Sequence, residues 1–120
     1  MNKWKYFSEK EVQGLESEFV AKLEKARHEA GIPFIITSGK RSPSDNATSG
    51  GVQDSAHLRG RAVDLRSPDS ETHFKIVRGA VLAGIVRIGV YRGADGSPTH
   101  VHLDDDDTLP QNVMWMGVSH

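Results

Sequence analysis

The 120-residue chain contains no cysteine, which excludes disulfides and thiolate metal sites and leaves histidine and carboxylate as the only side chains to hold a metal. It has no run near the roughly 18 consecutive apolar residues that a membrane-spanning helix needs. Neither charge sign is in excess. Fifteen basic and 16 acidic residues leave a formal net charge of −1, which provides no general pull toward nucleic acid or an anionic surface. The basic start Met1-Asn2-Lys3-Trp4-Lys5 meets no apolar stretch before Ser8-Glu9-Lys10-Glu11, so the expectation is cytoplasmic synthesis without a signal peptide. Internal repeats, linkers and low-complexity segments are missing too, apart from the acidic run Asp104 to Asp107. What is there, 26% charged and 37% hydrophobic, has the composition of a soluble globular protein and the length of one domain, residues 1–120, expected to be monomeric.

Ser8 and Glu11 fit a capping box, and Leu15, Phe19, Val20, Leu23, Ala26 and Ala30 recur at helical spacing up to Gly31. Lys22, Lys25, Arg27 and His28 are expected on that helix's solvated face. The run Ile32 to Ser38 predicts a buried strand with Pro33 at its start. Gly39 to Asp54, rich in turn formers, predicts a long loop, a feature compact domains keep mainly for function or motion. Arg61 to Arg66 reads as a strand, with Ala62 and Val63 entering the core. Ser67-Pro68 reads as the start of a second helix, buried through Phe74, Val77, Val81 and Leu82, with His73 outside and Gly84 at its end. Ile85 to Tyr91 and Thr99 to Asp104 predict an antiparallel pair across the turn Arg92 to Pro98, and Val113, Trp115 and Met116 fold back over one edge of the core. The order is α+β, a central, mainly antiparallel sheet flanked by helices.

In the last of these strands, positions two apart share a face, so His100, His102 and Asp104 project together while Val101 and Leu103 point into the core. A second segment sets His57 seven positions before Asp64. His57, Asp64 and one of the two strand histidines make up the three-ligand set of a catalytic zinc, which leaves its fourth position for water. A hydrolytic centre of this kind also needs a group to carry the proton of the attacking water.

Ser55-x-His57-x-x-Gly60-x-Ala62-x-Asp64 resembles the S-x-H-x-x-G-x-A-x-D signature of the D-Ala-D-Ala metallopeptidases, with every fixed letter present. That zinc family contains D,D-carboxypeptidases, D-Ala-D-Ala dipeptidases and L-alanyl-D-glutamate endolysins. The similarity runs from Tyr6-Phe7-Ser8 through Ile36-Thr37-Ser38-Gly39-x-Arg41-Ser42-Pro43 and Asn46 to His100-x-His102. The resemblance implies one Zn²⁺ on His57, Asp64 and His102, with Arg41 holding substrate and stabilising the oxyanion, a task that suits a planar, permanently charged donor fork. Many members carry a Glu within E-x-x-H as the base. That place is Thr99 here, and no Glu follows Glu71. His100 is the first candidate in its stead, because the wider fold group, hedgehog domains included, is similar in having an H-x-H whose second histidine binds zinc. Asp104 and Asp106 are the alternatives.

The expected fold is therefore hedgehog or D,D-peptidase-like, and the expected function a zinc peptidase acting on peptidoglycan stem peptides with D-amino acids, of D,D-carboxypeptidase or L-Ala-D-Glu endopeptidase type. Without a signal or a wall-binding domain, a phage or prophage lytic enzyme released to the cell wall, or a peptidase for recycled peptides, is expected. The alternative is an inactive zinc-binding recognition module of the same fold. Ser55 and Asn46 are expected to support the site, and Gly60 to allow close backbone approach or a positive φ. Asp105 and Asp107 are read as a solvated acidic edge, and Trp115 and His120 carry no functional reading.

Overall fold

The computed structural model describes residues 3–39 and 56–119. The predicted loop 39–54, with Arg41 and Asn46 in it, and also Ser55 and His120, lie outside the described residues, Gly39 and Ala56 being the described ends of the interval. Two helices, α1 (Ser17–Ala30) and α2 (Ser70–Leu82), occur among the described residues. The strands β1 (Ile36–Ser38), β2 (Ala62–Arg66), β3 (Arg87–Arg92), β4 (Pro98–Asp104) and β5 (Val113–Val118) form one sheet in the order β1-β2-β4-β3-β5. Every pairing is antiparallel except β3 with β5. The domain is α+β with a mainly antiparallel sheet, as expected.

The registers divide the sheet into two chemically distinct faces. Val63, Leu103, Ile88 and Met114 form one cross-strand row, and Leu65, Val101, Val90 and Met116 the next. This is the helix side, where Val63, Leu65, Val101 and Leu103 join Phe7, Phe19, Leu23, Phe34, Ile76 and Ile85 in a continuous core. On the opposite face the rows read Ala62, Asp104, Arg87, Val113; then Asp64, His102, Gly89, Trp115; then Arg66, His100, Tyr91, Gly117. One face is aliphatic and the other carries the titratable residues, the alternation that a period of two imposes.

Several elements depart from expectation for physical reasons. The Ser8 and Glu11 capping box does form, each side chain bonding the other's backbone N–H at 3.1 and 2.9 Å. It closes a turn, however, and α1 begins only at Ser17, beyond Gly14 with its φ of 84°. The helix ends at Gly31 in the left-handed conformation, as expected. Arg27 is no solvated charge: its guanidinium donates to the Tyr6 carbonyl at 3.0 Å and lies over the Tyr6 and Phe7 rings. Among the described residues β1 is a three-residue edge strand rather than a buried one, since it pairs there with β2 alone and Ile35 before it faces outward.

The second helix is capped by Asp69, whose carboxylate accepts from the Thr72 N–H at 2.7 Å, and not by Ser67. Its buried stripe is Ile76, Gly79 and Ala80, leaving Phe74, Val81 and Leu82 exposed. The stripe follows the small residues because α2 crosses α1 closely: a Cβ on Gly79 would stand 2.3 Å from the Ala26 carbonyl oxygen. His73 consequently turns inward, between the Ser67 hydroxyl and the Tyr91 carbonyl. The tail adds β5 to the sheet, parallel to β3.

Candidate metal centre

His57 sits in a short 3₁₀ turn, Ala56–Arg59, just before β2. Gly60 brings the chain out of that turn with a φ of 71°, and a Cβ there would lie 2.4 Å from the Gly14 carbonyl oxygen, so both expectations for this glycine hold. Asp64 then projects from the middle of β2 directly across from His102 on β4. Asp64 Oδ1 stands 3.0 Å from His102 Nδ1 and 3.4 Å from His57 Nε2. One donor atom from each of His57, Asp64 and His102 lies within 4.8 Å of the other two.

The outward sides of the two rings are also anchored. His57 Nδ1–H donates to the Gly39 carbonyl at 2.8 Å, which turns Nε2 toward Asp64. His102 Nε2–H donates to Asp104 Oδ2 at 2.7 Å, which turns Nδ1 the same way. Burial works against ionisation of Asp64, but hydrogen bonds from His102 and His57 override it and hold the carboxyl well below the usual range. Burial likewise disfavours a charged His102, and the carboxylates of Asp104 and Asp64 outweigh it, raising the ring above the ordinary imidazole pKa. Two oriented imidazole nitrogens around one ionised carboxylate fit a divalent transition metal such as zinc.

The other candidates surround this cluster. His100 lies one row along the same face, its ring stacked on Tyr91 at 4.4 Å between centroids, with Thr99 Oγ1 3.3 Å from its Nδ1. Asp104 lies on the far side of His102, buried, with Arg87 Nε donating to its Oδ1 at 2.7 Å. Asp106 is buried and paired with Arg59, and it accepts from the backbone and hydroxyl of Thr108. Asp105 is not a solvated edge: Lys22 and Arg61 reach it at 3.4 and 3.0 Å, raising the pKa of Arg61, and its side chain is almost wholly covered. Asp107 is exposed, as expected.

Three further residues reach the site, none of which has a functional reading in the sequence, Trp115 expressly included. Trp115 leans over Gly89, where a Cβ would stand 2.6 Å from the indole nitrogen, and its ring is 5.5 Å from that of His102. Its Nε1–H donates to the Tyr91 hydroxyl at 3.0 Å, so Trp115 and Tyr91 wall one side of the cluster. Arg87 lies beneath, its guanidinium 5.1 Å from the Trp115 ring. The signals were Gly89, an interior strand position without a side chain, and Arg87, a charge at the start of an apolar strand.

Fold and cluster together define a small α+β domain with a His-Asp-His candidate metal site on the face of its sheet opposite the helices. The chain belongs to the peptidase M15 family, whose profile matches residues 3–104. Among solved structures it is similar to that of the L-Ala D-Glu endopeptidase ChiX from Serratia marcescens, with a TM-score of 0.54. The match covers 84% of this chain and 89% of that one at 22% identity, a likeness of fold. Comparison with curated proteins finds no match.

Proposed function

We propose that the protein is a zinc-dependent peptidase that hydrolyses peptidoglycan stem peptides containing D-amino acids, of the D,D-carboxypeptidase or L-Ala-D-Glu endopeptidase type. The observation that carries this reading is the convergence of His57, Asp64 and His102 within 4.8 Å, in a chain of the peptidase M15 family. The fold shared with an L-Ala D-Glu endopeptidase is in keeping with the substrate class.

His57 Nε2, Asp64 Oδ1 and His102 Nδ1 would hold the ion. When bound, zinc supplies a Lewis acid for the scissile carbonyl and lowers the pKa of its water to about 7. His100, in the neighbouring row of the same face, takes the proton from the attacking water and gives it to the leaving amine as the amide C–N bond breaks. Arg41, outside the described residues, stabilises the charge that develops on the carbonyl oxygen. The Trp115 and Tyr91 wall gives a peptide a firm surface to lie against beside the ion.

The test is a digest of purified muropeptides by the zinc-loaded protein, read by mass spectrometry, with metal content measured on the same sample. The expected result is one zinc per chain and a new amine at a single stem-peptide bond, lost with a chelator and restored by zinc. A protein that holds one zinc but cleaves neither peptidoglycan nor D-amino-acid peptides is instead a recognition module of this fold.

A further inference from the structure

Burying an ion pair in a small domain is seldom the most stabilising choice, because a well-packed apolar replacement often does as well or better. Arg87 and Asp104 are nevertheless 9% and 2% exposed, on the titratable face of the sheet and paired across β3 and β4. Each oxygen of Asp104 has a distinct partner. Oδ1 accepts from Arg87 Nε at 2.7 Å and from the Asp106 N–H at 3.1 Å, and Oδ2 accepts from His102 Nε2 at 2.7 Å. Arg87 is itself fixed, with Nη1 donating to the Pro110 carbonyl at 2.6 Å and its guanidinium over Trp115.

We propose that Asp104, locked by Arg87, is the positioning residue of the metal site, holding the His102 ring in the tautomer and orientation that present Nδ1 to the ion. A carboxylate has only acceptors, so Asp104 keeps a proton on Nε2, and Nδ1, which faces Asp64 at 3.0 Å, is the nitrogen that would give up its proton to hold an ion. Carboxylate partners of this kind fix ligand histidines in metal sites and make them more basic. Arg87 completes the arrangement by holding the carboxylate in place, so its effect passes through Asp104. The inference rests on the metal reading above, and it makes Asp104 a support of a ligand rather than the base.

The experiment measures zinc affinity by competition with a chromophoric chelator, beside the melting temperature of the metal-free protein. The variants are D104A, D104N, R87M and the double variant R87M/D104A. Expected is a loss in affinity on the order of 10- to 100-fold for D104A, with a metal-free fold still present. D104N, which keeps an acceptor for Nε2–H, loses less than D104A. R87M loses a smaller factor, and the double variant loses no more than D104A alone. Wild-type affinity in folded D104A overturns the proposal, as do losses for R87M and D104A that multiply in the double variant. If neither Asp104 variant has a metal-free fold, the pair is structural and the proposal is again overturned. A wild-type protein that binds no zinc removes the metal reading itself, an outcome distinct from wild-type binding with indifferent variants.

Discussion

His100 and His102 share a face of β4 but have different neighbours: His102 is turned to two carboxylates, whereas His100 lies flat on the Tyr91 ring. Replacing His100 by alanine is accordingly expected to leave zinc content unchanged and to lower turnover by a factor on the order of 10² to 10⁴, the range of a general base. Unchanged turnover would take the proton-carrying role away from His100. The strand alternation makes the shared face of His100, His102 and Asp104 legible in the sequence alone, because a period of two admits no other arrangement. Trp115, Tyr91 and Arg87 were not legible as site residues. Their place depends on the register of β3 against β5, where Trp115 meets Gly89 and Tyr91 meets Gly117, and nothing local to either strand specifies that pairing.

At the scale of elements, the N-terminus of α2 carries a definite expectation. Asp69→Ala removes the acceptor for the Thr72 N–H and is expected to destabilise the protein by the modest amount that loss of an exposed helix cap costs. Chemical denaturation at neutral pH would show this as a lower midpoint with unchanged slope; an unchanged midpoint would mean that solvent replaces the cap. Ser67 and Pro68 carry start signals as strong as those of Asp69, and the choice fell to Asp69 because the Ser67 hydroxyl is engaged with His73. The phase of α2 was missed for a related reason. Bulk suggested Phe74, Val81 and Leu82, but close approach to α1 selects small residues, and Gly79 and Ala80 meet that need. Strands β2, β3 and β4 were legible within two residues at each end, since their alternating or continuous apolar runs are bounded by turn formers.

For the molecule as a whole, the fold class followed from the order of elements, whereas the parallel attachment of β5 did not, because either direction of a short tail covers the same edge. Stability should also respond to pH through His73, which burial holds below its ordinary value of 6.5 despite the Tyr91 carbonyl and Asp69, with Arg92 acting in the same sense as burial. A histidine depressed in the folded state contributes stability that is present above the unfolded pKa and lost as the pH falls through the folded one. As the pH falls below the ordinary imidazole value of 6.5, the contribution of His73 should therefore be lost from the metal-free protein, and His73→Gln should flatten that decline in a denaturation series. An equal decline in the variant would assign the acid sensitivity elsewhere. Finally, His57 and His102 come from opposite ends of a stretch of roughly forty-five residues that includes β2, α2 and β3. An ion joining them acts as a removable staple. In the chain-entropy picture, closing a loop of that length disfavours the unfolded chain by about 4 kcal/mol. A domain without a single cysteine would thereby acquire a cross-link that a chelator could open and a passing metal ion could close again.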